Sequence, residues 1–457
     1  MSKRAAKPRQ TPSADRARAS SHNAVPLDRL FAAGLALLYV GFAWFLANAT
    51  PLVESGSLIN APDEAAHVGY VRAIASGHRL PTRFDAEYRT YQWHQPPLYY
   101  AVASVAYPLG LPGLRAVSVL FGLISLWAIW STARILLPKN REAVIFVTAS
   151  AALLPMRHAV YASVGNDAAI ECMLSIGLLL CASVCVNGFT RVRGIGLGLL
   201  LGAATLTKLS GLLLFPGAAL CVMLAGPAAA MRARLARATL PLLLGLGLSG
   251  PWFALNAARY GQILPIKAFH EEFANTSRAA DWIGKRALAV DMVSGELEPG
   301  PIMDRRAYTT LVGNWTVRTF FGAYTPPSRA AIGAPVFLPG AFYLCYIGLG
   351  LIALLGLLFA GKDVIGSGPF RAYLLAAGVS VFLVMGSFAG FTWTYFQAQG
   401  RYLYPVLSPL ALAWGLGFAS VIPKRYQGVG AVGVIALLVV LASAFAFVYV
   451  APAYSAR

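Results

Sequence analysis

Apolar runs of about twenty residues recur along this chain, separated by short polar or basic joints. They fall near 31–49, 114–136, 142–158, 167–188, 194–208, 209–226, 238–257, 336–360, 371–395, 402–421 and 428–450. Runs of that length read as helices that cross a bilayer. The pattern therefore predicts an all-α polytopic membrane protein with about eleven spans. The stretch 194–226 needs an argument of its own. A single helix of 33 residues would be ~50 Å long, too long for a ~30 Å hydrocarbon core. Basic residues flank both ends, Arg191 and Arg193 before it and Arg232, Arg234 and Arg237 after. A short hairpin with Lys208 near its tip fits better. Two polar segments, 50–111 and 258–335, are too long to be mere connectors.

Composition supports the membrane reading. Of 457 residues, 58% are hydrophobic and 12% charged, where a soluble domain carries about 25% charged. This excludes an ordinary soluble protein, a disordered chain and a disulfide scaffold. The net charge of +19 reads as topology rather than as nucleic-acid binding. With the N-terminus inside, the inner segments hold 19 basic and 4 acidic residues, and the outer side 18 basic and 14 acidic. Every short inner loop is then basic, as cytoplasmic loops are, and the acids gather outside. Residues 1–30 form a basic, disordered cytoplasmic tail, and residues 31–457 one integral membrane domain. About seven residues follow the last predicted span, and no large soluble C-terminal domain is expected. The cysteines, Cys172, Cys181, Cys185, Cys221 and Cys345, lie in apolar runs without metal-ligand spacing and read as packing residues. No internal repeat of the kind many transporters carry is visible.

The first outer loop carries the densest chemistry. Asn60-Ala-Pro-Asp-Glu-Ala-Ala-His-Val-Gly-Tyr70 begins like a helix. Asn60 suits the cap, Pro62 the first turn, and Asp63 and Glu64 the positive dipole end. Gly77 suits the stop. Asp63, His67, Tyr70 and Ile74 then share one face. The acids could instead only stabilise the helix start. Asp63 and His67 have metal-pair spacing, but two ligands are thin grounds for a metal. Tyr91-Gln-Trp-His-Gln-Pro-Pro-Leu-Tyr-Tyr100 places a rigid double proline before a stretch, 98–109, too short to cross. This stretch reads as interfacial, with Trp93, Tyr99 and Tyr100 as belt aromatics. His94 beside the prolines is harder to explain as packing.

Elsewhere Asn166 and Asp167 open a span, with Glu171 one turn below and Met156-Arg157-His158 just before. Ionisable groups in a span mark function by default. Glu171 also suits a buried partner for a nearby arginine. Lys208 could bind an anion or merely snorkel. Arg401, between Gly400 and Tyr402 in Gln-Ala-Gln-Gly-Arg-Tyr-Leu-Tyr-Pro, is the residue type suited to bidentate phosphate binding. Asn314-Trp-Thr-Val-Arg-Thr-Phe-Phe-Gly-Ala-Tyr324 brings Arg318 among aromatics that could hold a sugar or a lipid head group, or pack the loop. Gly194, Gly196 and Gly198 suit close helix packing.

These landmarks, taken in order, resemble GT-C type membrane glycosyltransferases, the group of bacterial protein O-mannosyltransferases and lipid A aminoarabinose transferases. Asp63-Glu64 with His67, followed by His94-Gln-Pro-Pro-Leu, resembles the family's first outer loop. Asn166-Asp167 resembles its second acidic position, Thr207-Lys208 its "TK", and Gly400-Arg401-Tyr402 with Pro405 its late "RY…P". The loop departs from the frequent "KPP" by carrying His94-Gln95 before the prolines. The resemblance implies a GT-C-like fold and transfer of a sugar from a polyprenyl-phosphate donor to an envelope acceptor (lipid, glycan or protein). It implies inversion, at the periplasmic face of the inner membrane. Asp63 would be the general base, helped by Glu64 or oriented by His67. Asp167 would position the acceptor or an occasional divalent ion. Arg401 and Lys208 would hold the phosphate, with His94, Arg157, Arg318 and Tyr402 completing the binding set. A lipid or polysaccharide flippase and a non-catalytic envelope assembly partner are the rival readings. A transporter would place its polar groups near the midplane, whereas here they gather at one edge.

Overall fold

A computed structural model describes residues 27–88, 90–226, 230–290, 297–360 and 367–455. The basic tail expected at 1–30 lies outside the described residues except for its last four. Lys362 and Asp363 lie outside them too.

All eleven predicted apolar segments are helical. Helix α1 spans Leu27–Ala49. In the first loop follow α2, Glu64–Ala75, and α3, Leu98–Ser104. Helix α4 is Gly110–Leu136, α5 Arg141–Ala152, α6 Pro155–Tyr161, α7 Asp167–Asn187, α8 Arg191–Thr207, α9 Leu214–Leu224 and α10 Met231–Tyr260. The second long loop holds α11, Ile266–Glu272, α12, Ala279–Trp282, and α13, Arg305–Phe321. It also holds two small antiparallel hairpins, Arg286–Val290 with Leu297–Ile302 and Ala323–Tyr324 with Val336–Phe337. Helix α14 is Gly340–Phe359, α15 Gly368–Thr394, α16 Leu407–Val421 and α17 Gln427–Ser443.

Eight helices among the described residues are long and apolar enough to cross a membrane. The pair α5–α6, bent by 53°, is apolar and long enough together to make a ninth as a broken span. Pro155 at the start of α6 causes the break, because its ring supplies no N–H. The predicted hairpin accounts for the remaining two segments. Helices α8 and α9 meet at Lys208, and Leu201 and Phe215 both touch Gly245 in the middle of α10. The two limbs therefore run side by side, and the chain reverses at Lys208. Both are shorter than a full span, so the count of eleven holds for helical segments and not for full crossings.

The bundle is held by close helix approach rather than by water exclusion, since lipid is as apolar as leucine. Helix α8 packs on α10 through Gly198, where a Cβ would come within 2.7 Å of the Leu244 Cβ. Gly194 also faces α10, whereas Gly196 faces open space. The cysteines are unbridged, as expected. At the end opposite Lys208, Asp28 on α1 pairs with Arg134 at the foot of α4 (3.3 Å). That contact fixes which helix ends lie together.

The first loop departs from expectation in two details. Asn60 does not cap α2. Its Oδ1 accepts instead from the Thr325 N–H (3.2 Å) and the Tyr454 hydroxyl (2.8 Å), joining the first loop to the second. Asp63 takes the cap position. Trp93, Tyr99 and Tyr100 are not belt aromatics but core residues, each 2% exposed or less. Tyr100 stacks on Tyr70 with ring centroids 3.8 Å apart.

A candidate active site at one end of the bundle

Four charged side chains from distant parts of the chain converge at the end of the bundle where the hairpin turns. Asp167 begins α7. Lys208 lies 2.5 Å from its Oδ1, and Arg401 Nη1 lies 2.5 Å from its Oδ2. The second guanidinium nitrogen of Arg401 reaches Asp63 Oδ2 at 3.3 Å. Arg401 thus spans both carboxylates. Its Nε donates to Gln399 Oε1 (2.7 Å) and its plane lies over the Tyr402 ring. The alternating charges offset one another, which permits so much charge at a half-buried position.

Local structure aims each group. Arg401 follows Gly400, whose N–H donates to Thr319 Oγ1 (2.8 Å) on α13. A Cβ at Gly400 would stand 2.4 Å from the Phe320 Cα, so only glycine lets this segment seat against α13. Asp63 has φ 58°, a left-handed conformation rare for a residue with a side chain. Ser57 Oγ accepts from its N–H (3.2 Å), and the Tyr91 hydroxyl donates to its Oδ1 (3.0 Å). Burial, and then the Asp63 carboxylate, raise the Tyr91 phenol above its usual range, so it remains a donor. Strain of this kind persists where surrounding contacts over-determine it.

His67 sits one turn into α2, 4% exposed, and shares a 2.8 Å hydrogen bond between Nδ1 and the Tyr100 hydroxyl. Burial pushes its imidazole down to about 4, against the pull of the nearby carboxylates. His94 is held between Phe269 and Phe273, with Nδ1 against the Tyr91 carbonyl (2.9 Å). Burial pushes it down to about 4 as well. Both rings are neutral near pH 7 and add no cation to the site.

These groups line one cavity of about 1030 Å³. Asp63, His67, His94, Asp167, Lys208, Arg401 and Tyr402 all border it, and Phe388 and Phe391 of α15 form an apolar wall. Three residues expected here are placed elsewhere. Glu64 is buried against Arg115, accepting from Nε (2.8 Å) and Nη2 (2.6 Å) and from the Val164 N–H (2.8 Å). Arg157 is fully buried and donates to Glu171 (3.0 Å), Ser125 and the Gly122 carbonyl. Glu171 is the structural partner the sequence suggested. Arg318 lies over Phe337 and Tyr343, away from the cavity. Sequence reasoning missed Ser57, Gln399 and the role of Tyr91. Only Tyr91 had a signal, its place beside His94-Gln-Pro-Pro.

The arrangement suits a bound phosphate better than a metal. Each site carboxylate already faces a cation. Among the described residues no three His, Cys, Asp or Glu side chains gather into a metal-binding group. Lys208 spends one of its three N–H donors on Asp167 and keeps two for an anion.

Comparison with known proteins follows the same line. Residues 94–253 match the family described as dolichyl-phosphate-mannose-protein mannosyltransferase. No curated protein matches the sequence. The structure of ArnT from Cupriavidus metallidurans bound to undecaprenyl phosphate superposes with a TM-score of 0.54 at 18% identity, covering 91% of this chain and 64% of ArnT. Its apo state gives 0.52 at 20% identity, covering 90% and 65%. The chain has the GT-C fold of ArnT. It spans less than two thirds of ArnT's length. The family match contains His94, Asp167 and Lys208 among the residues that border the cavity.

Proposed function

We propose that the protein transfers a sugar from a polyprenyl-phosphate-linked donor to a cell-envelope acceptor. The observation that carries this reading is Arg401 spanning Asp63 and Asp167 at the wall of a large cavity. It is supported by a fold shared with ArnT, whose structure holds undecaprenyl phosphate.

The two carboxylates divide the work by their surroundings. Asp167 is 10% exposed and gripped by two cations at 2.5 Å. It is fixed as a charge and orients Lys208 and Arg401. Asp63 is 29% exposed and meets Arg401 only at 3.3 Å. It is the carboxylate more open to the cavity and takes the role of general base in this reading. An acceptor hydroxyl attacks the anomeric carbon from the side opposite the phosphate, and its proton passes to Asp63. The carbon–oxygen bond to phosphate breaks, and its electron pair leaves with the polyprenyl phosphate. That leaving group gains a negative charge, which Lys208 and Arg401 stabilise where it forms. The configuration at the sugar inverts. Neutral His67 orients the start of α2, and Tyr402 holds the plane of Arg401. The basic short loops support a periplasmic or outer position for this end of the bundle, with the N-terminus in the cytoplasm. No step requires a metal ion.

The test is release of free polyprenyl phosphate from lipid-linked sugars extracted from bacterial membranes, using purified protein in lipid nanodiscs. Wild type should release it and Asp63→Asn should not. Full activity of Asp63→Asn would remove the base assignment. Lipid movement across liposomes without sugar transfer would overturn the transferase reading.

A further inference from the structure

The cavity has a second wall with different chemistry. Trp315 on α13 and Trp282 on α12 both border it. Each meets the ring of Phe396, with centroids 5.1 and 5.0 Å apart, and Trp315 also packs edge-on against Phe337. Both indoles are half-buried, and neither indole N–H has a hydrogen-bond partner among the described residues. Thr276 and Gln397 border the same region. Phe396 lies five positions before Arg401, so the aromatic wall and the ionic cluster are at most ~18 Å apart along the chain.

We infer that this wall is the acceptor subsite and that the acceptor is a glycan. The inference rests on the transfer reading above. Flat aromatic faces take the C–H face of a pyranose ring, and the indole N–H groups, the amide and the hydroxyl take its hydroxyls. A lipid tail is better served by Phe388 and Phe391 of α15, whose rings pack on Tyr402 and border the cavity with no indole among them. The acceptor glycan lies along the tryptophan wall with its terminal hydroxyl at Asp63.

The experiment uses the full protein in nanodiscs against an array of bacterial glycans, with hits measured by calorimetry. Undecaprenyl phosphate binding is measured in parallel. A glycan should bind saturably. Trp315→Ala and Trp282→Ala should each weaken it tenfold or more, and Trp315→Phe by threefold or less. All three variants should keep wild-type affinity for undecaprenyl phosphate and wild-type thermal stability to within a few degrees. Binding of no glycan by a protein that binds undecaprenyl phosphate overturns the inference. So does glycan binding indifferent to both tryptophans, or tryptophan-dependent binding of a peptide or lipid probe instead. Loss of undecaprenyl phosphate binding by wild type would instead strike the donor reading, so the two failures are distinguishable.

Discussion

Asp63 and Glu64 are adjacent in the chain and turn their carboxylates to different arginines. Asp63 meets Arg401 at the cavity wall, and Glu64 meets Arg115 in the interior. The left-handed backbone at Asp63 makes the split, because the helix begins only after it. The two acids should therefore fail differently. Asp63→Asn should cost ~10²–10⁴ in transfer rate with little change in melting temperature. Glu64→Gln leaves the Arg115 guanidinium buried without its counter-charge. It should cost on the order of 3–5 kcal/mol of stability. Thermal unfolding in detergent and turnover of the lipid-linked donor, measured on both variants, check this.

Arg401 makes four separate polar contacts through a rigid fork, which an ammonium cannot reproduce. Arg401→Lys should weaken undecaprenyl phosphate binding at least tenfold although the charge is kept. Lys208→Ala should weaken it by a similar factor. Filter binding with radiolabelled lipid phosphate reads both; unchanged affinity in both variants would remove these cations from the phosphate site.

Gly400→Ala tests how the cationic segment is seated. The added methyl would meet the α13 backbone at Phe320, which cannot retreat cheaply. Overpacking of this kind costs ~1–3 kcal/mol. Because Arg401 is the next residue, turnover should fall at least tenfold even at temperatures where the protein remains folded. The measurement is turnover beside unfolding temperature.

Burial holds His67 at about 4 against an ordinary 6.5. Between those values an unfolded chain takes up a proton that the native site refuses, so stability falls as pH falls. The contribution is complete above pH 6.5 and disappears as pH drops toward 4. It amounts to at most about 3.4 kcal/mol. His67→Gln should flatten the pH dependence of unfolding between pH 6.5 and 4, as followed by melting temperature across that range.

Much of this was legible beforehand, for physical reasons. Apolar length decides membrane helices almost alone, so all eleven segments appear as helices. Basic flanks predicted the reversal at Lys208. Asp63, Asp167, Lys208 and Arg401 stood out because charge at a membrane boundary is costly without a purpose. The same logic could not separate a charge that meets a cavity from one that meets a partner. Glu64, Arg157 and Arg318 carry the same residue-level signal as the site residues, and only packing tells them apart. Ser57 and Gln399 are isolated polar residues whose importance lies in what the fold brings beside them.

The hairpin of α8 and α9 has a mechanical consequence for the surrounding lipid. With 17 residues, α8 rises ~25 Å, short of the ~30 Å of hydrocarbon it stands in. A bilayer thins beside so short a helix wherever the helix faces lipid. Lys208 at its C-terminal end nonetheless reaches the first residue of the 21-residue α7, meeting Asp167 at 2.5 Å. On the donor reading proposed above, a phosphate tethered to a lipid tail would meet the Lys208 ammonium at the level of that helix end.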